Sequence, residues 1–515
     1  MMFKRCVIFG GALLVLQGPS IAQPPASTNP TPSERSQQPQ SRADQSADVV
    51  EIPTTSAPAE TESDENSAPL PGPEYLRLRY DEDYSYLDGP PGSYQPDVFD
   101  PVKRIRVSDD LILSLGGEAR VMVHSLTNPG YGTNFPTQDT YLWHQYFLHA
   151  DLRYRDTFRI FAEGVNAMIE DQDFPLRTFD EDRFDVHQLF ADWRVLGDHT
   201  PLTLRVGRQA LSYGRRRQVN YSGWSQFRRT FDGVKLLYKS DDLLIDAWYV
   251  KPINMNLAEG LNRKPNRYQE EQDFYGIYAT WKGIKDHEID LYLLALIDHG
   301  NPTNANFRSG DLSAYTFGGR IGGKIENWDY DGELAGQWGK FAGDTISAWM
   351  AGVDGGYTLA DGAWKPRLGV GFDWGSGDQD STDNVHQTYT TNFSAVHSFL
   401  GHIDLFTRQN IISPNLNLTL TPHKKVTAKA TWYTFWNDSV TDGIANGLGQ
   451  PVRRDRFGNP GHDIGQELDL TINVSIDTHQ TLLFGYSHFW PSNFISATGF
   501  DDEVDFIYLG YTFRF

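Results

Sequence analysis

The chain has 515 residues, of which 22% are charged and 13% aromatic, and a formal charge of −22. A mean hydropathy of −0.49, with no apolar run of helical membrane-spanning length, argues against a helical membrane protein. The 67 acidic against 45 basic side chains argue against a nucleic-acid binder, and the single cysteine, Cys6, excludes a disulfide framework, a zinc cluster and a redox pair.

Residues 1–22 have the three parts of a secretory signal. Lys4 and Arg5 form the positive end, Val7 to Leu16 the apolar run, and Ser20-Ile21-Ala22 a small-x-small cleavage site. Composition then shifts. Fourteen of the 28 prolines fall between Pro24 and Pro101, among Ser, Gln, Thr and Glu. Residues 23–74 therefore read as a disordered periplasmic segment, because they bury too little to offset their ordering entropy. The stretch 24–70 is a linker or a docking tail for a periplasmic partner. Residues 75–110 are aromatic and charged and read as an ordered segment packed against the downstream chain.

From Leu111 the hydropathy alternates with period two, the mark of strands with one apolar and one polar face. In the stretch 141–155, Leu148, Ala150, Leu152 and Tyr154 oppose Gln145, His149, Asp151 and Arg153. In 466–476, Leu468, Leu470, Ile472 and Val474 oppose Glu467, Asp469, Thr471 and Asn473. Eighteen such runs are predicted: 111–126, 141–156, 157–171, 185–197, 200–212, 230–240, 241–254, 271–284, 286–299, 311–327, 328–342, 344–360, 362–377, 409–421, 423–438, 462–477, 478–491 and 503–515. Tight turns alternate with long loops. The fold class is all-β: a single antiparallel transmembrane β-barrel over 111–515, with short periplasmic turns and long extracellular loops, in the outer membrane of a Gram-negative cell. Thirteen Trp, 25 Tyr and 30 Phe suffice for two interfacial girdles.

Alternation also predicts the lumen wall. Cations there are Arg120, Arg153, Arg155, Arg159, Arg194, Arg205, Arg320, Arg367, Arg514, Lys235, Lys324 and Lys429. Anions are Glu118, Glu163, Glu467, Asp151, Asp192, Asp246, Asp373 and Asp469. That is a twelve-to-eight cationic excess, opposite to the whole-chain bias. The bland alternative is that these groups pair across strands and brace the wall. The cluster Arg215-Arg216-Arg217 with Arg228 and Arg229 lies in the loop 213–229, which either folds inward as a cationic constriction or binds outer-leaflet lipids.

Several segments resemble a known family. LRYDEDYSYLDG precedes the barrel and LSLGGEAR lies in its first strand. GRQALSYGRRR and RRTFDGVKL, with a Trp between them, occupy 207–236. YSHFWPSNFI and DFIYLGYTF close the chain. These are similar to the alginate-export-type outer-membrane barrels, over 75–515. The resemblance implies an eighteen-stranded passive channel for an anionic uronic-acid polymer, leading outward. It carries Arg208, Gln209, Tyr213, Gly214, Arg217, Arg229, Asp232 and Gly233 onto the substrate path. Strict alternation would turn Arg208 toward lipid beside Val206, so a bulge or a loop position near the lumen mouth is the expectation here.

The substrate path expected from both lines of reasoning joins Arg120, Arg153, Arg159, Arg194, Arg205, Arg208, Arg217, Arg229, Arg320 and Arg367 with Glu118, Asp151, Glu163, Asp192, Asp232 and Asp373. Uptake of anionic oligosaccharides or small acids, and a barrel acting mainly as an anchor or adhesin, are the alternatives. No catalytic motif is present, so no enzyme is expected; His124, His149 and His488 are scattered among aromatic strands. Asp378, Asp380 and Asp383 lack the Glu and the spacing of a calcium loop, so neither metal nor cofactor is expected. Expected partners are the polysaccharide or oligosaccharide, outer-membrane lipids, and the barrel-assembly machinery through Phe515.

Overall fold

The computed structural model describes residues 72–90, 92–175, 177, 180–195, 201–254, 265–359 and 363–515. The expected signal, and the tail up to residue 71, lie outside the described residues. Eighteen long strands form the wall. The first six are β1 (Leu111–Thr127), β2 (Gln138–Tyr154), β3 (Phe158–Glu170), β4 (Asp182–Arg194), β5 (Leu202–Gln209) and β6 (Phe231–Lys239). Next come β7 (Leu243–Asn254), β8 (Gln272–Trp281), β9 (His287–Asp298), β10 (Leu312–Ile325), β11 (Trp328–Phe341) and β12 (Asp344–Thr358). The wall ends with β13 (Arg367–Gly375), β14 (Ile411–His423), β15 (Val426–Trp436), β16 (Asp463–Ser475), β17 (Gln480–Pro491) and β18 (Val504–Arg514).

Each strand pairs antiparallel with its sequence neighbours, and β1 closes the barrel on β18 from Glu118↔Arg514 to Thr127↔Asp505. Closure leaves no unpaired edge in lipid, where an unsatisfied backbone group would cost several kcal/mol. The last residue completes the seam: Gly117 and Phe515 exchange two backbone hydrogen bonds, at 2.9 and 3.0 Å.

Outward side chains are apolar and aromatic. Trp193, Trp281, Trp328 and Trp364 ring the turn side, while Tyr275, Trp338, Trp349 and Trp432 ring the loop side. On β11, Trp328 and Trp338 are ten residues apart. That is about 34 Å along the strand and about 26 Å along the axis at a tilt of about 40°, the height of the hydrocarbon core.

The segment before β1 packs across the turn-side mouth. Its short strand Ile105–Ser108 pairs with the start of β1. Arg79 is buried; it pairs with Glu82 at 3.0 Å and donates to the carbonyls of Gly117 and Phe515, each at 3.4 Å. Lys103, fully buried, donates to Leu115 O at 3.1 Å beneath the rings of Tyr75, Tyr84 and Phe515. His479, in the β16–β17 turn, contacts Tyr75 Oη at 3.0 Å and Asp97 Oδ2 at 2.7 Å.

Candidate functional site: the barrel interior

The loop between β5 and β6 (residues 210–230) folds into the lumen, as one branch of the sequence reasoning expected. Arg217, with its side chain fully buried, is its anchor. Its guanidinium reaches Asp331 (2.7 Å) and Glu333 (3.8 Å) on β11, Asp354 (2.9 Å) on β12 and Asp373 (3.4 Å) on β13. Gly352 makes room for it, because a Cβ there would overlap Arg217 Nε. At the far side of the loop Arg228 pairs with Glu118, and Arg120 donates to the carbonyls of Gly223 (2.9 Å) and Trp224 (2.5 Å). The Trp224 ring stacks on His124 at 5.7 Å. The loop thus crosses from the β5–β6 wall to both β1 and β11–β13.

A second loop, 376–410, joins it inside. Phe393 N donates to Gln218 O and Ala395 N to Arg216 O, both at 2.9 Å. Arg408, fully buried, donates to Asp373 at 2.7 Å, and Arg229 lies over the Phe393 ring at 5.0 Å. His397 is sandwiched between Trp224 and His402, each at 4.5 Å, and its Nδ1 contacts Asp404 at 2.9 Å. Burial pushes both histidines down to about 3. Where this loop meets residues 437–462, burial, reinforced by the neighbouring Asp442 charge, pushes the Asp378 carboxyl up to about 6, and burial does the same to Asp442.

Most wall residues of the expected path sit where alternation places them, but paired. Arg159 takes Asp151 (2.7 Å) and the carbonyl of Tyr80 (2.6 Å); Arg153 also takes Asp151 (3.0 Å). Arg205 forms a two-pronged pair with Asp192 at 2.7 and 2.9 Å and lies 3.9 Å over the Phe190 ring. Arg320 bridges Asp331 (2.6 Å) and Asp290 (2.7 Å). Arg367 crosses Gly369 and Gly356 to reach Asp329 on β11. Arg194 faces inward at the turn end of β4, opposite Thr203.

Three expectations need correction. The β5–β6 register runs unbroken from Leu202↔Tyr238 to Gln209↔Phe231. Arg208 and Asp232 therefore stay on the outward set with Val206 and Val234, bonded to each other at 2.9 Å, and Arg208 also donates to Val186 O (3.1 Å) and Asn266 O (3.0 Å). They brace the outer rim, outside the lumen. A bulge does occur one strand away, at His187 in β4. It turns His187 and Gln188 together onto Glu163, at 2.6 and 2.9 Å. Arg155 lies in the β2–β3 turn on Asp110 (2.9 Å), away from the wall. Finally, the wall has no cationic excess. Glu288, Asp290, Asp329, Asp331, Glu333 and Asp354 also point inward, six carboxylates that the strand-by-strand sequence pattern passed over. Arg320 and Arg367 on the wall and Lys282 in a turn pair with Asp290, Asp331, Asp329 and Glu288, and the inward loops add Arg215 and Arg217 on Asp331, Glu333 and Asp354, Arg228 on Glu118 and Arg408 on Asp373.

Residues 111–505 match the alginate export family. The chain belongs to it. No curated protein matches the sequence. Among solved structures, Pseudomonas aeruginosa OccD3 (OpdP) aligns with a TM-score of 0.54 at 11% identity, over 84% of this chain and 97% of that one. Pseudomonas aeruginosa OpdO aligns with a TM-score of 0.52 at 12% identity, over 78% and 97%. OccK11 (OpdR) from the same organism gives 0.51 at 13%, over 79% and 96%. At such identities the likeness is one of fold. This alginate-export-family barrel is an outer-membrane channel of a Gram-negative cell, and its interior is narrowed by two loops whose guanidinium groups are clamped to wall carboxylates.

Proposed function

We propose that the channel passes an anionic polysaccharide, a uronic-acid polymer, outward. The observation that carries this reading is the inward loop 210–230, which brings Arg215 into the lumen 38% exposed, 4.0 Å from both Asp331 and Asp354. On the wall nearby, Arg367 and Lys429 flank Thr419 at one level across β13–β15. Guanidinium groups bind carboxylates and stay charged at any physiological pH. Their wall partners hold them in place and temper each contact, so a polyanion is guided and released.

We infer further that the barrel-assembly machinery reads the terminal strand through Phe515, and that the segment 24–70 is a linker or a docking tail for a periplasmic partner. The test is current through the full-length protein in planar bilayers. Anion preference is expected, and Arg153→Ala, Arg194→Ala and Arg367→Ala combined should shift the reversal potential toward cation preference. An unshifted potential would remove these residues from the path, and a sealed barrel would leave the anchor or adhesin reading. Flux of an intact uronic polymer out of liposomes, against flux of short oligosaccharides only, separates export from uptake of small acids.

A further inference from the structure

A cavity of about 520 Å³ lies at the turn-side end of β6–β9, between the wall, the root of loop 210–230 and the segment before β1. Most of the charges lining it are tied to partners. Lys235 meets Asp246 at 3.0 Å, Lys282 meets Glu288 at 2.9 Å, and Asp290 meets Arg320 at 2.7 Å. Opposite charges that close act as small dipoles, and their fields fade within a few ångströms. Two charged groups of the lining make no ion pair with any described residue: Lys239, at the end of β6, and Asp81. Both are exposed.

Asp81 belongs to the segment before β1, and its neighbours in the chain fix where it stands. It ends a 3-10 turn, Arg79–Asp81, and its N–H donates to Leu78 O at 2.8 Å. Arg79, Tyr80 and Glu82 are buried. The Tyr80 hydroxyl donates to Ala210 O at 2.9 Å, its carbonyl accepts from Arg159 at 2.6 Å, and its ring lies 4.4 Å from the Arg205 guanidinium. Glu82, besides its pair with Arg79, accepts from Leu76 N (3.1 Å) and from the Tyr84 hydroxyl (2.6 Å). Every side chain flanking Asp81 is thus anchored, and the Asp81 carboxylate alone is left facing the cavity. A fixed, unpaired charge on a water-filled passage enriches ions of opposite sign and depletes ions of its own.

We propose that ions cross the turn-side mouth through this cavity and that Asp81, carried by the segment before β1 and not by the wall, is a selectivity-determining residue that opposes anion entry there. This needs only a conducting barrel and holds whatever the cargo is. The test is the reversal potential of the full-length protein in planar bilayers across a KCl gradient. An ion passing about 6 Å from an unpaired carboxylate has its local concentration changed about twofold at a Debye length of about 10 Å, in opposite senses for anion and cation. Asp81→Asn should therefore raise the anion-to-cation permeability ratio about threefold in about 0.1 M salt, and Asp81→Lys about tenfold. In about 1 M salt, where the Debye length is about 3 Å, the asparagine effect should fall below about 1.5-fold. Lys239→Gln should move the ratio the other way. Asp83 is an exposed carboxylate of the same segment that bonds Ser85 and lies outside the cavity lining, so Asp83→Asn should leave the ratio unchanged. Unchanged ratios in both Asp81 variants, or an equal shift from Asp83→Asn, would overturn the assignment. Polymer flux from liposomes, run on the same proteins, reports separately on the cargo: an Asp81 shift without polymer flux refutes polymer transit and leaves the assignment standing, whereas polymer flux with unshifted ratios does the reverse.

Discussion

Replacing Arg217 with Met removes one charge at the centre of four carboxylates and keeps most of the side-chain volume. In the folded protein the guanidinium lies 2.7 Å from Asp331, 2.9 Å from Asp354, 3.4 Å from Asp373 and 3.8 Å from Glu333. At an effective dielectric of about 20, each contact near 3 Å attracts by about 5 kcal/mol, and desolvating the buried ions offsets several kcal/mol of that sum. Removing one partner of such a cluster costs about 3–5 kcal/mol, because the carboxylates left behind stay buried. Arg320 still holds Asp331 and Arg408 still holds Asp373, so the exposed deficit centres on Asp354 and Glu333. The β ladder is untouched, and the loss falls on the docking of loop 210–230. A docking penalty of that size raises the undocked population by between two and four decades. Single-channel recording of Arg217→Met should therefore show a larger, fluctuating conductance with reduced anion preference, and hydrogen exchange should quicken across 210–230 while β11–β13 stay protected. Adding Asp354→Asn should recover part of the loss. Wild-type conductance, reversal potential and exchange in Arg217→Met would refute the view that this ion cluster docks the loop.

Gly352→Ala should act on the same cluster by sterics. Its Cβ overlaps Arg217 Nε, so a docking loss of about 1–3 kcal/mol and a partial version of the Arg217→Met recording are expected; unaltered current would refute the fit. Arg79→Ala leaves Glu82 buried without its cation and should loosen the segment before β1 by about 3 kcal/mol, read as new protease cleavage between residues 72 and 104 of the folded barrel; continued resistance would count against that anchor. The outer loops should respond to pH. Asp378 and Asp442 have carboxyls raised from 3.8 to about 6, so the packed loops hold protons more tightly than released ones. Packing is strongest below the ordinary value, weakens as pH rises from about 4 to about 6, and is level above that. Exchange in 376–388 and 437–445, corrected for intrinsic rates, should be slower at pH 5 than at pH 7.5, and Asp442→Asn should flatten the difference. Faster corrected exchange at pH 5 would reverse the sign and refute it.

The eighteen strands were readable from the chain because a lipid-facing barrel wall alternates: most outward positions meet hydrocarbon, while inward ones meet water, polar groups or, as at Phe231, Phe274 and Leu294, the loops folded inside. That rule correctly placed Arg120, Arg153, Arg159, Arg205, Arg320 and Arg367, and the tight turns set the two sides apart. The motif around 207–236 pointed to the family without any geometry. Partnership was less legible. Arg208 looked as though it needed a bulge to reach the lumen, yet its partner Asp232 lies directly opposite in register, and the bulge falls at His187. A period-two pattern shows which face a residue takes, and nothing in it says which strand slips by one.

The sequence by itself thus determined the wall: its strand number, its facing and its membrane. Tertiary structure alone decided what fills it. Arg217 meets Asp331, Asp354 and Asp373 across more than a hundred residues of chain, and Phe393 pairs with Gln218 across a comparable distance. Such contacts have no local periodicity, because they are selected by complementary charge and by glycine gaps in a wall that exists only once the barrel has closed. The whole-chain charge of −22 therefore says little about the lumen. There, the balance is struck pair by pair.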